Sequence, residues 1–148
     1  AGPGEVFGES YACLPEEAIP IRAVAAESAE VLLLEVRRVL TTCPSACAFH
    51  ALLIRNLLEV LAVKNLAMNE KLIHLTQRTT RDKLLSYLSA CSARAGEPEF
   101  EIPYNRQQLA DYLSVDRSAM SAELSRLRAQ GILTCKKNRF RLLGRPET

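Results

Sequence analysis

Residues 45–75 contain neither glycine nor proline. A stretch of that length without a chain breaker predicts one long helix. Its apolar side chains say what the helix is for. Ala51, Ile54, Leu58, Leu61, Asn65, Met68, Leu72 and Leu75 recur at steps alternating between 3 and 4, which is heptad spacing. So narrow a seam asks for a partner helix, and a second copy of the chain supplies one, giving a homodimer held through Ile54, Leu58, Leu61, Asn65, Met68 and Leu72. A single Asn in such a seam fixes register at some cost in stability. Leu53, Leu57 and Val60 form a second stripe, suited to holding the segment upstream. The competing reading is a core helix inside one monomeric domain.

That upstream segment, residues 1–43, mixes Gly, Pro and short β-prone runs. Ile21–Ala25 and Glu30–Leu34 read as strands joined by a turn over Ala26–Ala29, and Gly4–Glu9 as a tight turn beside a strand. Two or three strands do not make a stable sheet alone. They are expected to pack on further residues ahead of the abrupt start Ala1-Gly2-Pro3-Gly4.

The C-terminal part is punctuated more sharply. Thr79 and Thr80 offer caps for a helix from Arg81 to about Ala93, ended by Gly96 and Pro98, with Phe100–Pro103 as a short strand. Asn105 is an N-cap with Gln108 in capping-box position, and Leu109, Ala110 and Leu113 give that helix a buried face. Ser114-Val115-Asp116 is a short turn. Asp116 then caps a helix from Arg117 to about Gln130, closed by Gly131. Met120, Leu124 and Leu127 are its inward stripe.

The outward face of this second helix carries Arg117, Ser118, Ser121, Ser125 and Arg128. An ordinary solvated face mixes Glu and Lys. Small polar residues instead let a helix approach DNA closely, and Arg can bond guanine bidentately. The first residues of the second helix of such a pair meet base edges, which assigns base contact to Arg117, Ser118 and Ser121. Arg106, Gln107, Ser125 and Arg128 are assigned to the DNA backbone. Ile132–Cys135 and Arg139–Leu142 read as a hairpin with a basic tip, whose Lys136, Lys137 and Arg139 would meet phosphates. Charge agrees with this polarity: residues 1–43 balance at −4 and residues 101–148 at +4, although the chain totals only +2.

In order and spacing, residues 105–121, Glu123–Leu127 and Gly131–Leu133 resemble the winged helix of the cyclic-AMP receptor protein / fumarate-nitrate regulator (CRP/FNR) family. Gly4–Glu9 resembles the end of that family's β-roll sensor domain, and the long helix its dimer helix. The resemblance implies an α+β fold in three parts: the end of a cupin-like β-roll effector domain (1–43), a dimerisation helix (44–76) and a winged helix-turn-helix DNA-binding domain (77–148). It implies a bacterial, cytoplasmic transcription regulator that binds double-stranded DNA, with RNA polymerase as a further partner. An effector in the β-roll would reposition the two DNA-binding domains. Gly8 and Glu9 would be a remnant of the effector pocket, with most of the β-roll expected ahead of Ala1. Cyclic-nucleotide binders of the family carry an Arg and a Ser or Thr downstream of the Gly-Glu pair to hold the phosphate. An ungapped match puts Ile19 and Pro20 there, which cannot pair with a phosphate. The expected effector is therefore an unknown small molecule other than a cyclic nucleotide, and no cofactor is expected. Ala122 stands where many members have a base-reading Arg.

Cys43, Cys47 and His50 share one helix face if the helix starts early enough, and two thiolates with an imidazole could hold zinc or iron. The alternative is buried small hydrophobes, and no metal is assigned. Five cysteines are an odd number, which speaks for a reducing compartment over a disulfide framework. His74 reads as a cation at a helix C-terminus. No Gly-rich phosphate loop, nucleophile elbow or paired-His motif is present, so no catalytic residue and no enzyme is expected. No apolar run approaches a membrane span. Two other functions fit the same residues: a winged-helix protein-interaction module without DNA binding, and a thiol- or metal-sensing regulator acting through Cys43 and Cys47.

Overall fold

The computed structural model describes residues 2–14, 20, 22–41 and 47–143. Two compact units divide the chain, Ala1–Ala67 and Met68–Thr148.

Within the first unit Gly4 takes φ 77° in a turn, closed by a 3.1 Å hydrogen bond from Glu5 N–H to the Gly2 carbonyl. Two short helices follow, α1 (Glu9–Ala12) and α2 (Val36–Leu40). The strands expected over Ile21–Ala25 and Glu30–Leu34 are not found among the described residues, and Val31–Leu34 run as an exposed chain without ladder partners. β-Branched and leucine-rich composition favours extended backbone, but a strand exists only where another pairs with it. The helix α2 was not anticipated. It is stapled by Glu35 and Arg38 at 2.7 Å, a local i,i+3 pair.

The long helix α3 spans Ala48–Leu75, beginning in the first unit and ending in the second. It is apolar on more sides than the heptad seam alone predicts. Leu58, Met68 and Leu72 of the seam are exposed, but so are Phe49, Leu52, Val63, Leu66 and Ile73 on another face. A helix apolar nearly all round is one built to be covered on several sides.

The second unit has a defined core. Helix α4 (Thr80–Ala95) starts where the Thr79 hydroxyl accepts from Asp82 N–H at 3.1 Å and stops at Gly96 with φ 70°. Strand β1 (Glu99–Glu101) leads to α5 (Arg106–Leu113), α6 (Arg117–Ala129), β2 (Leu133–Lys136) and β3 (Arg139–Leu142). The sheet is antiparallel with order β1-β3-β2. The strand expected at Phe100–Pro103 thus ends earlier, at Glu101, because Pro103 has no N–H for a ladder. Phe100 lies opposite Phe140, and their rings stack at 6.2 Å between centroids. That pair is the sheet's inner face. Leu84 and Leu88 of α4, Leu109 and Leu113 of α5, and Met120 and Leu127 of α6 close over it, all fully buried. Each such side chain contributes roughly 1.5–3 kcal/mol through burial, which makes this small unit a rigid platform for whatever its exposed faces carry.

Candidate nucleic-acid interface

The geometry of the candidate site is set by three backbone devices. Asn105 and Gln108 form a complete capping box: the Asn105 side chain accepts from Gln108 N–H, and the Gln108 side chain from Asn105 N–H, each at 2.9 Å. At its other end α5 stops on Ser114, a non-glycine residue in the left-handed region at φ 51°. The Lys83 ammonium donates to the Leu113 carbonyl there at 3.2 Å, satisfying one of the helix's unpaired acceptors. Val115 then packs against the core, and Asp116 opens α6 by accepting from Ala119 N–H at 2.8 Å. A hydrogen bond from the Ser118 hydroxyl, followed by that from Ala119 N–H, holds the Asp116 carboxyl below its usual range.

These devices turn one face of α6 to the core and the other outward. Met120, Leu124 and Leu127 are buried, while Arg117, Ser118, Ser121, Ala122, Ser125 and Arg128 are exposed. The residues read as DNA-facing therefore share one open face of one helix. Ser121 donates to the Arg117 carbonyl at 2.8 Å and Ser125 to the Ser121 carbonyl at 3.0 Å.

Glu123, which sequence reasoning passed over, sits in the buried half of the same helix at 8% exposure. Its carboxylate meets Arg81 of α4 at 3.2 Å and Arg126 one turn on at 3.0 Å. A carboxylate between Met120 and Leu124 on the inward stripe was the available signal, since a buried charge demands a partner.

The residues assigned to phosphates fall into two kinds. Lys136, Lys137 and Arg139 are exposed on the hairpin, and Lys137 holds φ 55° at its turn. Arg139 lies 3.7 Å from Glu101, both well exposed, a pair of little energetic weight. Arg106 is instead half-buried, its guanidinium 5.0 Å from the Phe140 ring centre and within 3.3 Å of Cys135 Sγ. Gln107 is exposed on the first turn of α5 and donates to Asp111 at 2.9 Å.

His74 does not fit its expected role as a helix-end cation. It is 2% exposed, meets the Tyr87 ring edge-on at 5.6 Å, and its Nδ1 lies 2.8 Å from the Ser86 hydroxyl. Loss of hydration, partly opposed by Glu70 and assisted by Arg94, lowers its pKa. Tyr104 and Tyr112 extend the cluster, with rings 5.0 Å apart.

In the first unit Gly8 takes φ 80° as the cap of α1, and Glu9 is buried. Lys64 of α3 bonds Glu9 Oε1 at 2.8 Å and also donates to the Val6 carbonyl. Burial alone would raise the Glu9 pKa, but the Lys64 hydrogen bond, a backbone hydrogen bond and the Lys64 charge together outweigh it and hold the carboxyl below its usual range. Of the seam residues, Ile54 and Leu61 are half-buried, and Leu58, Asn65, Met68 and Leu72 exposed. Of the sulfur cluster, Cys43 lies outside the described residues, and Cys47 Sγ is 3.8 Å from His50 Nδ1. Among the described residues no group of three or more His, Cys, Asp or Glu side chains is placed to hold a metal, and no helix is long and apolar enough to cross a membrane.

Residues 82–147 match the family of Crp-like helix-turn-helix domains. The chain is similar in fold to FixK2 from Bradyrhizobium japonicum, with 24% identity, a TM-score of 0.55, and coverage of 64% of this chain and 49% of that one. It is also similar to a CRP-family transcriptional regulator from Thermus thermophilus, with 21% identity, a TM-score of 0.51, and coverage of 69% and 53%. The chain thus spans about half the length of these solved structures. No curated protein matches it.

Proposed function

We infer that this chain, whose residues 82–147 match the family of Crp-like helix-turn-helix domains, is a transcription regulator. It is a sequence-specific DNA-binding regulator. The observation that carries this reading is the open face of α6, where Arg117 stands at the first helical position beside Ser118 and Ser121. Helix N-terminal residues at that place reach base edges in the major groove. Lys136, Lys137 and Arg139 on the hairpin, acting as a wing, add phosphate contacts that give affinity without sequence choice.

Two copies pair along the α3 seam and read a palindromic operator in half-sites about 34 Å apart. The exposed Leu58, Met68 and Leu72 support that pairing. Residues 1–43 are the end of a β-roll sensor whose effector is a small molecule other than a cyclic nucleotide, because Ile19 and Pro20 occupy the phosphate-holding positions. The protein carries out no catalysis, works in the cytoplasm and has RNA polymerase as a further partner.

Selection of the purified chain against a random duplex library, with sedimentation in parallel, tests this. An enriched palindrome and a dimer at micromolar concentration are expected. Sequence-blind or absent DNA binding, together with salt-insensitive capture of a protein, would replace it with a winged helix devoted to protein contacts.

A further inference from the structure

The three serines of the α6 face have something in common beyond their size. Ser121 donates its proton to the Arg117 carbonyl at 2.8 Å, and Ser125 to the Ser121 carbonyl at 3.0 Å. Ser118 donates to the Asp116 carboxylate, a charge-assisted bond that is stronger than a neutral one. Each hydroxyl has one proton and two lone pairs. With the proton committed to the protein's own chain, the oxygen that faces outward can only accept. All three residues are exposed, so their lone pairs are open to whatever approaches. Arg117 and Arg128 on the same face can only donate. The face is therefore divided by hydrogen-bond polarity, guanidinium donors at its edge and hydroxyl acceptors along its middle.

Base edges in the major groove offer two kinds of partner. Guanine O6 and N7 and thymine O4 accept, whereas the exocyclic amino groups, N6 of adenine and N4 of cytosine, donate. We propose that Ser121 is a specificity-determining residue that accepts a hydrogen bond from the exocyclic amino group of an adenine or cytosine, next to the base pair whose acceptors Arg117 reads. This rests on the DNA-binding function proposed above and adds the chemical class of base that each side chain selects. Reading a keto oxygen would require the Ser121 hydroxyl to turn round and give up its bond to the Arg117 carbonyl, which disfavours that arrangement roughly five-fold. Ala122, also exposed on this face, offers a methyl group and no competing polarity.

The test uses the full chain and the duplex it selects. Adenines are replaced one at a time by 2-aminopurine, which still pairs with thymine but carries no amino group in the major groove, and cytosines by 2-pyrimidinone. At one base pair in each half-site the replacement should weaken wild-type binding roughly five-fold. Ser121→Ala should weaken binding to the unmodified duplex by a similar factor. The two changes together should cost no more than either alone, because they remove the same hydrogen bond. Additive losses at every position would overturn the proposal, as would coupling of Ser121→Ala to 4-thiothymine or 6-thioguanine, in which the keto oxygen is the atom changed. Ser125→Ala in parallel should couple to a different base or to none, and coupling to the same amino group would assign the contact to the wrong serine. If no duplex is selected at all, the DNA-binding function fails and the proposal falls with it.

Discussion

Replacing Glu123 by glutamine removes a charge shared by two arginines, and the structure separates their weights. The Glu123 side chain is 11% exposed, Arg81 35% and Arg126 71%. The Arg126 pair is an i,i+3 contact nearly in solvent, worth a few tenths of a kcal/mol at most. The Arg81 pair joins α4 to α6 across a partly desolvated gap. A charged hydrogen bond of this kind contributes about 1.5–3 kcal/mol when buried, and solvent at Arg81 reduces that to about 1 kcal/mol. With the cost of leaving a neutral amide between two guanidiniums, Glu123→Gln should lower stability by about 1–2 kcal/mol. For a unit of this size the melting temperature would fall by roughly 5–10 °C. Thermal and urea melts followed by circular dichroism measure it. Arg81→Met should cost nearly as much as Glu123→Gln and couple strongly to it, while Arg126→Met should cost a few tenths of a kcal/mol. A costlier Arg126→Met, or a Glu123→Gln variant that melts with the parent, would contradict this division of weight between the two arginines.

Other consequences can be checked with the same instruments. Asn105→Ala breaks both arms of the capping box and should cost about 1 kcal/mol in a urea melt. Ser114→Gly relieves a left-handed backbone at φ 51° and should raise stability by about 0.5–1 kcal/mol, the relief of strain exceeding the added chain entropy; a destabilised variant would contradict this. Because burial lowers the His74 pKa from 6.5, the unfolded chain binds a proton at higher pH than the folded one. Stability should be full above about pH 6.5 and decline as pH falls from there toward the folded value, and His74→Gln should flatten that slope in melts across pH. Removing Lys136 or Lys137 should weaken binding to all duplexes alike and reduce the slope of log affinity against log salt by about 0.9 for each phosphate that is no longer neutralised.

The parts of the fold that were legible in the sequence are those fixed by neighbours along the chain. The Asn105–Gln108 box, the Asp116 cap, Gly131 at φ 70° and the hairpin around Lys137 depend on residues within a turn or two. Local rules therefore place α5, α6, β2 and β3 almost to the residue. What needed distant partners was not legible. The strands expected before residue 35 found no ladder among the described residues. His74 read as a helix-end cation, and only the fold shows Ser86 and Tyr87 enclosing it. Glu123 was invisible as an anchor because Arg81 comes 42 residues earlier. Lys64 on Glu9 spans 55 residues, so no periodicity could announce that ion pair. On the α6 face the sequence supplied the residue types, and only the hydrogen bonds of Ser118, Ser121 and Ser125 revealed which way their protons point.

Whether α6 reads sequence is decided by the affinity of the full chain and of Arg117→Ala for a selected palindrome and for its scrambled sequence, at two salt concentrations. Arg117 is exposed at the start of α6. If it reads a base, the variant should lose about 1–3 kcal/mol on the palindrome. Its binding to the scrambled duplex and its salt slope should change little. An equal loss on both duplexes, with a shallower salt slope, would make Arg117 a phosphate contact and contradict the assignment of α6 as the element that reads sequence.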